Sequence, residues 1–144
     1  MIRVGFTGTR FGATEIQLAR MRRLLDDLMA RSPDAEFTAH HGDCVGADAQ
    51  FHVLARERKW TVVVHPPVDD SDRARCEHDE LRDPLTHMKR NKAIVTEVSL
   101  MLAAPRDMTE QEHGGTWKTI GMARKAKKPL VIVFPDGSTQ GEWP

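Results

Sequence analysis

Two glycine-containing segments of this chain carry groups that bind anions. Gly114-Gly115-Thr116 combines two residues that lack a Cβ with a hydroxyl, and Gly8-Thr9-Arg10 adds a second hydroxyl and a guanidinium. Free amides at the start of a helix attract phosphate, and arginine pairs with it through two N–H groups. The Gly-x4-Gly-Lys-Ser/Thr spacing of a P-loop is absent. The pattern therefore indicates a phosphate site of another kind, although either segment alone is also typical of an ordinary turn.

A third segment, residues 41–48, combines glycines with ionisable side chains. Its residues of interest are His41, Gly42, Asp43, Gly46 and Asp48. Gly42 and Gly46 would let a ligand approach the backbone closely, because they carry no Cβ. Asp43 and Asp48 could accept hydrogen bonds from ribose hydroxyls or cap the helix that follows. For Asp48, packing or capping explains the residue as well as contact with a ligand does.

The histidines and cysteines do not have the spacing of a metal site. His40 and His41 are adjacent, so in a strand they point to opposite faces of the sheet. Cys76 and His78, with Asp79 beside them, lack the paired spacing of zinc ligands, and the other cysteine is distant in the chain. We therefore expect no metal and no other cofactor.

Strands and helices alternate along most of the chain. Strands are predicted over residues 2–6, 36–40, 60–64, 98–103 and 129–134, and helices over 15–32, 47–58, 85–97 and 116–126. Thr14 and Gln17 form a capping box at the start of the first helix. This alternation indicates an α/β fold with a parallel sheet covered on both faces. Because the three segments follow strands, we expect them to meet at the carboxyl edge, where such sheets bind ligands.

The length of 144 residues is that of a single domain. We assign residues 1–137 to this domain and residues 138–144 to a short polar tail. Residues 66–83 interrupt the alternation with two prolines and seven acidic residues. Long loops in compact domains are usually functional or mobile, and the sequence leaves open whether this one is a lid, a dimer contact or merely long.

Composition excludes several classes of protein. Lys plus Arg and Asp plus Glu both number 21, so the net charge is zero, which argues against a polybasic protein that wraps nucleic acid. Aromatic residues make up 6% and there is no Tyr, which argues against stacking platforms for single strands. The apolar runs are too short for a signal peptide or a membrane span, so we expect a cytoplasmic protein without membrane contact.

The chain resembles the SLOG superfamily in four segments taken together, namely residues 7–10, residues 41–48, Arg90-Asn91 and residues 114–117. Within it, the chain resembles the small stand-alone members related to YspA and YpsA, which are common in bacteria and phages. The resemblance spans about residues 2–137. It implies a Rossmann-like, doubly wound parallel sheet of about five strands in the order 3-2-1-4-5. It also implies a nucleotide or nucleotide-derived ligand and a homodimer or higher homo-oligomer.

The resemblance implies a role for each matching residue. The phosphate would be held by Gly114, Gly115 and Thr116, with Gly8, Thr9 and Arg10 alongside. Gly42 and Gly46 would form the pocket floor, and Arg90, followed by Asn91, would reach the phosphate or sugar.

One departure from the superfamily concerns catalysis. Its cytokinin-activating phosphoribohydrolases place a catalytic Glu where this chain has Thr119, and Asn91 stands where they have Lys. A threonine cannot supply the carboxylate that N-glycosidic cleavage requires. Glu110 and Glu112 lie just upstream and are, with Arg90, the candidate catalytic residues.

Three hypotheses follow for the function. The first is a sensor or sequestering module that binds a nucleotide or nucleotide-derived molecule. The alternative is a nucleoside 5'-monophosphate N-glycosidase that uses Arg90 and an acid from the 104–113 or the 69–83 loop. The third, binding of single-stranded DNA as in the DNA-processing relatives, is disfavoured by the charge balance and the few aromatic residues.

Overall fold

Seven strands and four helices make up the computed structural model, which describes residues 1–144. The strands are β1 Ile2–Gly8, β2 Phe37–His41, β3 Thr61–Val64, β4 Glu80–Leu81, β5 Leu100–Ala104, β6 Leu130–Val133 and β7 Thr139–Gln140. The helices are α1 Glu15–Arg31, α2 Ala47–Glu57, α3 His87–Glu97 and α4 Gly115–Lys125.

The strands form one sheet in the order β4-β3-β2-β1-β5-β6-β7. All neighbouring strands are parallel except the antiparallel pair of β6 and β7. The five central strands have the predicted order and confirm the Rossmann-like class. The sheet has seven strands rather than the expected five, because a two-residue strand is added at each edge. Strand order reverses between β1 and β5, and that is the point at which such sheets bind ligands.

The helices cover both faces of the sheet, as the alternation predicts. On one face, α1 and α2 bury a large core in which the rings of Phe6 and Phe51 stack 4.6 Å apart. On the other face, α3 and α4 pack through Ile94 and Ala123 against Met101. No helix is long and apolar enough to cross a membrane.

The capping box predicted for α1 is confirmed. The Thr14 hydroxyl accepts from the amide of Gln17 at 3.0 Å, and the Gln17 side chain accepts from the amide of Thr14 at 3.0 Å. The side-chain nitrogen Nε2 of Gln17 also donates to the backbone carbonyls of Pro105 and Val133, at 2.9 and 2.8 Å. This side chain therefore fixes the start of α1 to the ends of β5 and β6.

Residues 138–144, expected from sequence to be a polar tail, are instead packed onto the sheet. They contain β7, and Trp143 is buried with its indole N–H donating to the carbonyl of Met101 at 3.0 Å. A single tryptophan among polar residues has no periodicity, and for that reason the sequence pattern did not indicate this contact.

A cleft at the carboxyl edge of the sheet

A cavity of about 590 Å³ opens at the carboxyl edge, where β1 and β5 separate. Its wall is built from the turn after β1, the loop after β2, one side of α3 and the start of α4. Most residues singled out from the sequence line it, namely Gly8, Thr9, Arg10, Gly42, Asp48, Arg90, Asn91, Gly114, Gly115 and Thr116. His41, Asp43 and Gly46 are not part of this wall.

The first turn of α4 faces open space in the cavity. Gly114 has φ +99° and Gly115 begins the helix, and a Cβ on either residue would meet nothing within 4 Å. No side chain caps this helix end. Its first amides therefore have no partner in the protein, and the helix dipole adds partial positive charge at the same place. This is the geometry in which helices bind phosphate.

Two guanidinium groups and an aromatic ring also line the cleft. Phe11 is 66% exposed, and its ring centroid lies 5.1 Å from the guanidinium carbon of Arg10 and 4.5 Å from that of Arg106. The sequence pattern did not single out Arg106 or Phe11. The position of Arg106 in the sequence could have identified it, because Arg106 follows β5 at the same sheet edge at which Arg10 follows β1. Both cations line the cleft and would attract an anionic ligand, although Arg10 already forms an exposed ion pair with Asp72 at 3.5 Å.

Arg90 lies in the cleft wall but already has several partners. It is buried, and its guanidinium donates to the carbonyl of Gly42 at 2.6 Å, to that of His65 at 3.2 Å and to the side chain of Asn91 at 2.7 Å. A Cβ on Gly42 would lie 2.5 Å from Nη1 of Arg90. Gly42 therefore makes room for the arginine, and Arg90 and Asn91 organise the floor of the cleft.

Asp48 is the buried carboxyl group of the cleft wall. It lies in the first turn of α2 and accepts from the amide of Cys44 at 3.1 Å. Burial raises the pKa of Asp48 to about 6, although the charge of Arg90 and the amides of Cys44 and Gly42 act in the opposite direction. The side chain can accept an N–H or hydroxyl of a ligand.

The three predicted residues outside the wall hold the surrounding loops. Asp43 is fully buried and accepts from Nε of Arg73 and from the amide of Cys76, both at 2.8 Å. His41 accepts from the amide of Asp43 at 2.9 Å. Gly46 lets the start of α2 approach the turn after β1. Asp43 thus fixes the 66–83 segment beside the cleft.

The candidate catalytic acids do not reach the cavity wall. Thr119 is buried and donates its hydroxyl to the carbonyl of Gly115 at 2.7 Å, one turn back in α4. Glu110 is exposed and pairs with Arg124, and Glu112 is exposed as well. The carboxylates of the wall belong instead to Asp48, Asp72 and Asp107.

Comparison with known proteins identifies similar folds. No protein-family model matches the sequence, and no curated protein matches it. The structure resembles a molybdenum cofactor binding protein from the phototrophic bacterium Rippkaea orientalis, with TM-score 0.68 and 18% identity over 92% of this chain and 76% of that one. It also resembles the Moco carrier protein from Chlamydomonas reinhardtii, with TM-score 0.58 and 19% identity over 91% and 75% of the two chains.

A third similar structure is the structural-genomics target TM1055. Its TM-score is 0.59, with 17% identity over 90% of this chain and 72% of that one. At such low identity these likenesses establish the fold and not the ligand. The chain is therefore an α/β protein with a Rossmann-like, mostly parallel sheet, of the kind found in these three structures.

Proposed function

We propose that this chain binds a phosphate-bearing heterocyclic ligand in the cleft, namely a nucleotide or nucleotide-derived molecule, as a sensor or sequestering module of the SLOG type. The observation that carries the proposal is the uncapped start of α4, where Gly114 and Gly115 open onto a cavity of about 590 Å³. Cavities of about 300–1,000 Å³ are typical of small-molecule sites.

The charges of the cleft support an anionic ligand with polar groups. The phosphate would contact the amides of Gly115 and Thr116, and Arg10 and Arg106, which also line the cleft, would balance its charge. Asp48 is available to accept an N–H of the heterocycle or a sugar hydroxyl. Arg90 supports the floor through the carbonyl of Gly42 rather than being free to turn toward the ligand.

The molybdenum cofactor is a second candidate for the same cleft. Two of the structurally similar proteins are named for it, and it shares with nucleotides a heterocyclic ring system joined to a phosphate. Both ligands would use the first turn of α4 in the same way. A ligand panel that includes both classes distinguishes them.

Hydrolysis of the ligand is the competing hypothesis. Asp107 and Asp72, from the 104–113 and 69–83 loops, line the cleft wall but are not buried, whereas Asp48 is both buried and in the wall. The N-glycosidase hypothesis therefore rests on Asp48 rather than on Glu110 or Glu112, which lie outside the wall. Chromatography of a bound nucleotide after incubation would detect free base, and Asp48→Asn would abolish its release.

The homodimer implied by the resemblance is part of our proposal and is tested by sedimentation.

Gly115→Asp is expected to abolish ligand binding without destabilising the protein. The added carboxylate would occupy the open cradle and repel phosphate, while a negative charge at a helix start is favourable to the helix itself. A ligand at 100 times its dissociation constant adds about 2.7 kcal/mol, which is a shift of roughly 5–10 °C in Tm. A thermal-shift panel of nucleotides, dinucleotides and molybdenum cofactor measures this effect.

Gly121→Asp is the matched control, because Gly121 lies on the exposed side of the same helix and also has nothing within 4 Å. It adds the same charge outside the cleft and should leave the ligand-induced shift unchanged. Equal shifts in wild type and Gly115→Asp would refute the cradle at the start of α4, and silence of wild type toward the whole panel would refute the proposed function.

A further inference from the structure

Two imidazoles and a carboxylate meet outside the cleft, on the face of the sheet that carries α3 and α4. His40 lies on β2 and His65 directly follows β3, and Nδ1 of the first is 2.9 Å from Nε2 of the second. Glu97, the last residue of α3, places a carboxylate oxygen 3.6 Å from Nε2 of His65. The three ligand atoms lie within 4.8 Å of one another.

The backbone itself brings these groups together. In the register of β2 and β3, His40 pairs with Val63, and His65 is two residues further along and points to the same face. Both imidazoles are buried, so their positions are fixed by the sheet. The end of α3 then adds Glu97 from above.

We propose that His40, His65 and Glu97 bind a divalent transition-metal cation of the zinc class. Ligand atoms 2.0–2.2 Å from a tetrahedral zinc ion are about 3.4 Å apart, and two imidazoles with a carboxylate are a usual donor set. The separations of 2.9 and 3.6 Å are within about half an ångström of this value. The third separation, between His40 and Glu97, is at most 4.8 Å, so the Glu97 carboxylate would have to move toward His40 by about an ångström. The Glu97 side chain is 31% exposed, so water has access to this end of the trio and would be the fourth ligand.

Arg82 supplies the positive charge that Glu97 needs in the absence of a metal. A carboxylate in the last turn of a helix is opposed by the helix dipole. Arg82 compensates it through Nε, 3.1 Å from Oε1 of Glu97, and lies 3.9 Å from Glu80 as well. The guanidinium of Arg82 and the metal ion would both use the carboxylate of Glu97, so Arg82 competes with the metal ion. The Arg82 side chain is 37% exposed and can turn toward Glu80 when the metal ion binds.

A second trio, His41, His52 and Cys76, lies on the other face and is a poorer site. Nδ1 of His41 accepts from the amide of Asp43 at 2.9 Å, so the proton of the neutral ring is on Nε2. That nitrogen donates to Nδ1 of His52 at 3.1 Å. A metal at Nε2 of His41 would require an anionic imidazolate, whereas no backbone amide donates to His40 or His65.

Zinc titration of the full chain tests the proposal. After treatment with a chelator, the protein competes with a chromophoric chelator for Zn²⁺, and Co²⁺ absorption reports the ligand geometry. Glu97→Gln should weaken zinc binding about tenfold or more, as should His65→Gln. Arg82→Gln should strengthen it, because the competing cation is removed. His52→Gln is the control and should change nothing.

The pair Glu97→Gln and Arg82→Gln separates metal binding from a loss of structure. Both variants break the same ion pair, so any effect on folding has the same sign in both, whereas their effects on zinc affinity are opposite. The proposal is overturned if wild type takes up no zinc at a defined stoichiometry. It is equally overturned if the two variants shift zinc affinity in the same direction, or if His52→Gln is the variant that weakens it.

Discussion

Gly46→Ala is expected to destabilise the protein by about 2–5 kcal/mol, from backbone strain and overpacking together. Gly46 has φ +88° and ψ −126°, a conformation that is open essentially to glycine alone. A Cβ there would lie 2.3 Å from the carbonyl oxygen of Arg10 and 2.8 Å from that of Thr9. These are backbone atoms, so no side chain can turn aside to relieve the contact.

The position of this contact makes it important for the cleft. The amide of Ala47 donates to the carbonyl of Thr9 at 2.9 Å, so the start of α2 is fixed directly to the turn after β1. An alanine at Gly46 would separate the turn carrying Arg10 from the helix carrying Asp48. We therefore expect a loss of ligand affinity together with the loss of stability.

Gly114→Ala is the matched control for this substitution. Gly114 also has a positive φ, +99°, but a Cβ there meets nothing within 4 Å. Gly114→Ala therefore introduces the conformational strain without the steric clash, and it should lower the free energy of unfolding by about 1–3 kcal/mol. Urea unfolding of both variants gives the difference. If Gly46→Ala is no less stable than Gly114→Ala, the close contact with Arg10 does not contribute as we argue.

The central fold could be predicted because its signal is repeated. Each buried strand is a short apolar run, and each helix has apolar residues at helical spacing, so the alternation specified a parallel sheet with two covered faces. The edge strands Glu80–Leu81 and Thr139–Gln140 were missed because two residues are too short for a pattern. Trp143 was missed for the same reason.

The location of the cleft could be predicted, but the structural role of each of its glycines could not. Glycine at a strand-to-helix junction shows that space is needed and does not show what fills it. At Gly42 the space is filled by Arg90, and at Gly46 by the carbonyl of Arg10. At Gly114 and Gly115 a Cβ would meet nothing within 4 Å, and the proposed phosphate contact is placed in that open space.

Asp43→Asn is expected to lower the free energy of unfolding by about 2–4 kcal/mol and to release the 66–83 segment, because breaking a buried ion pair leaves its partner uncompensated. Asp43 is fully buried, ion-paired with Arg73 at 2.8 Å and bonded to the amide of Cys76. Its φ is +59°, which asparagine tolerates, so the substitution removes the charge without changing the backbone.

The pKa of Asp43 gives the sign of the accompanying pH dependence. Burial raises this pKa, but the amide of Cys76 and the guanidinium of Arg73 outweigh it and hold the pKa below its usual value. The folded state therefore binds the proton less readily than the unfolded chain does. The stability from Asp43 is present above the ordinary carboxyl pKa and is lost as the pH falls through the folded value. The Asp43→Asn variant should not show this loss of stability at low pH, because an asparagine side chain does not titrate.

Limited trypsin digestion measures the release of the segment directly. Arg73 and Arg75 are trypsin sites within it, and in wild type the Asp43 carboxylate holds the chain around them by accepting from Nε of Arg73 and from the amide of Cys76, both at 2.8 Å. Freed from the carboxylate, the segment should be cleaved there well before the rest of the chain. Asp70→Asn, which breaks the exposed pair with Arg75, is the control and should be cleaved no faster than wild type, because exposed ion pairs contribute little. Equal cleavage of Asp43→Asn and Asp70→Asn would show that the buried carboxylate does not hold this segment against the cleft.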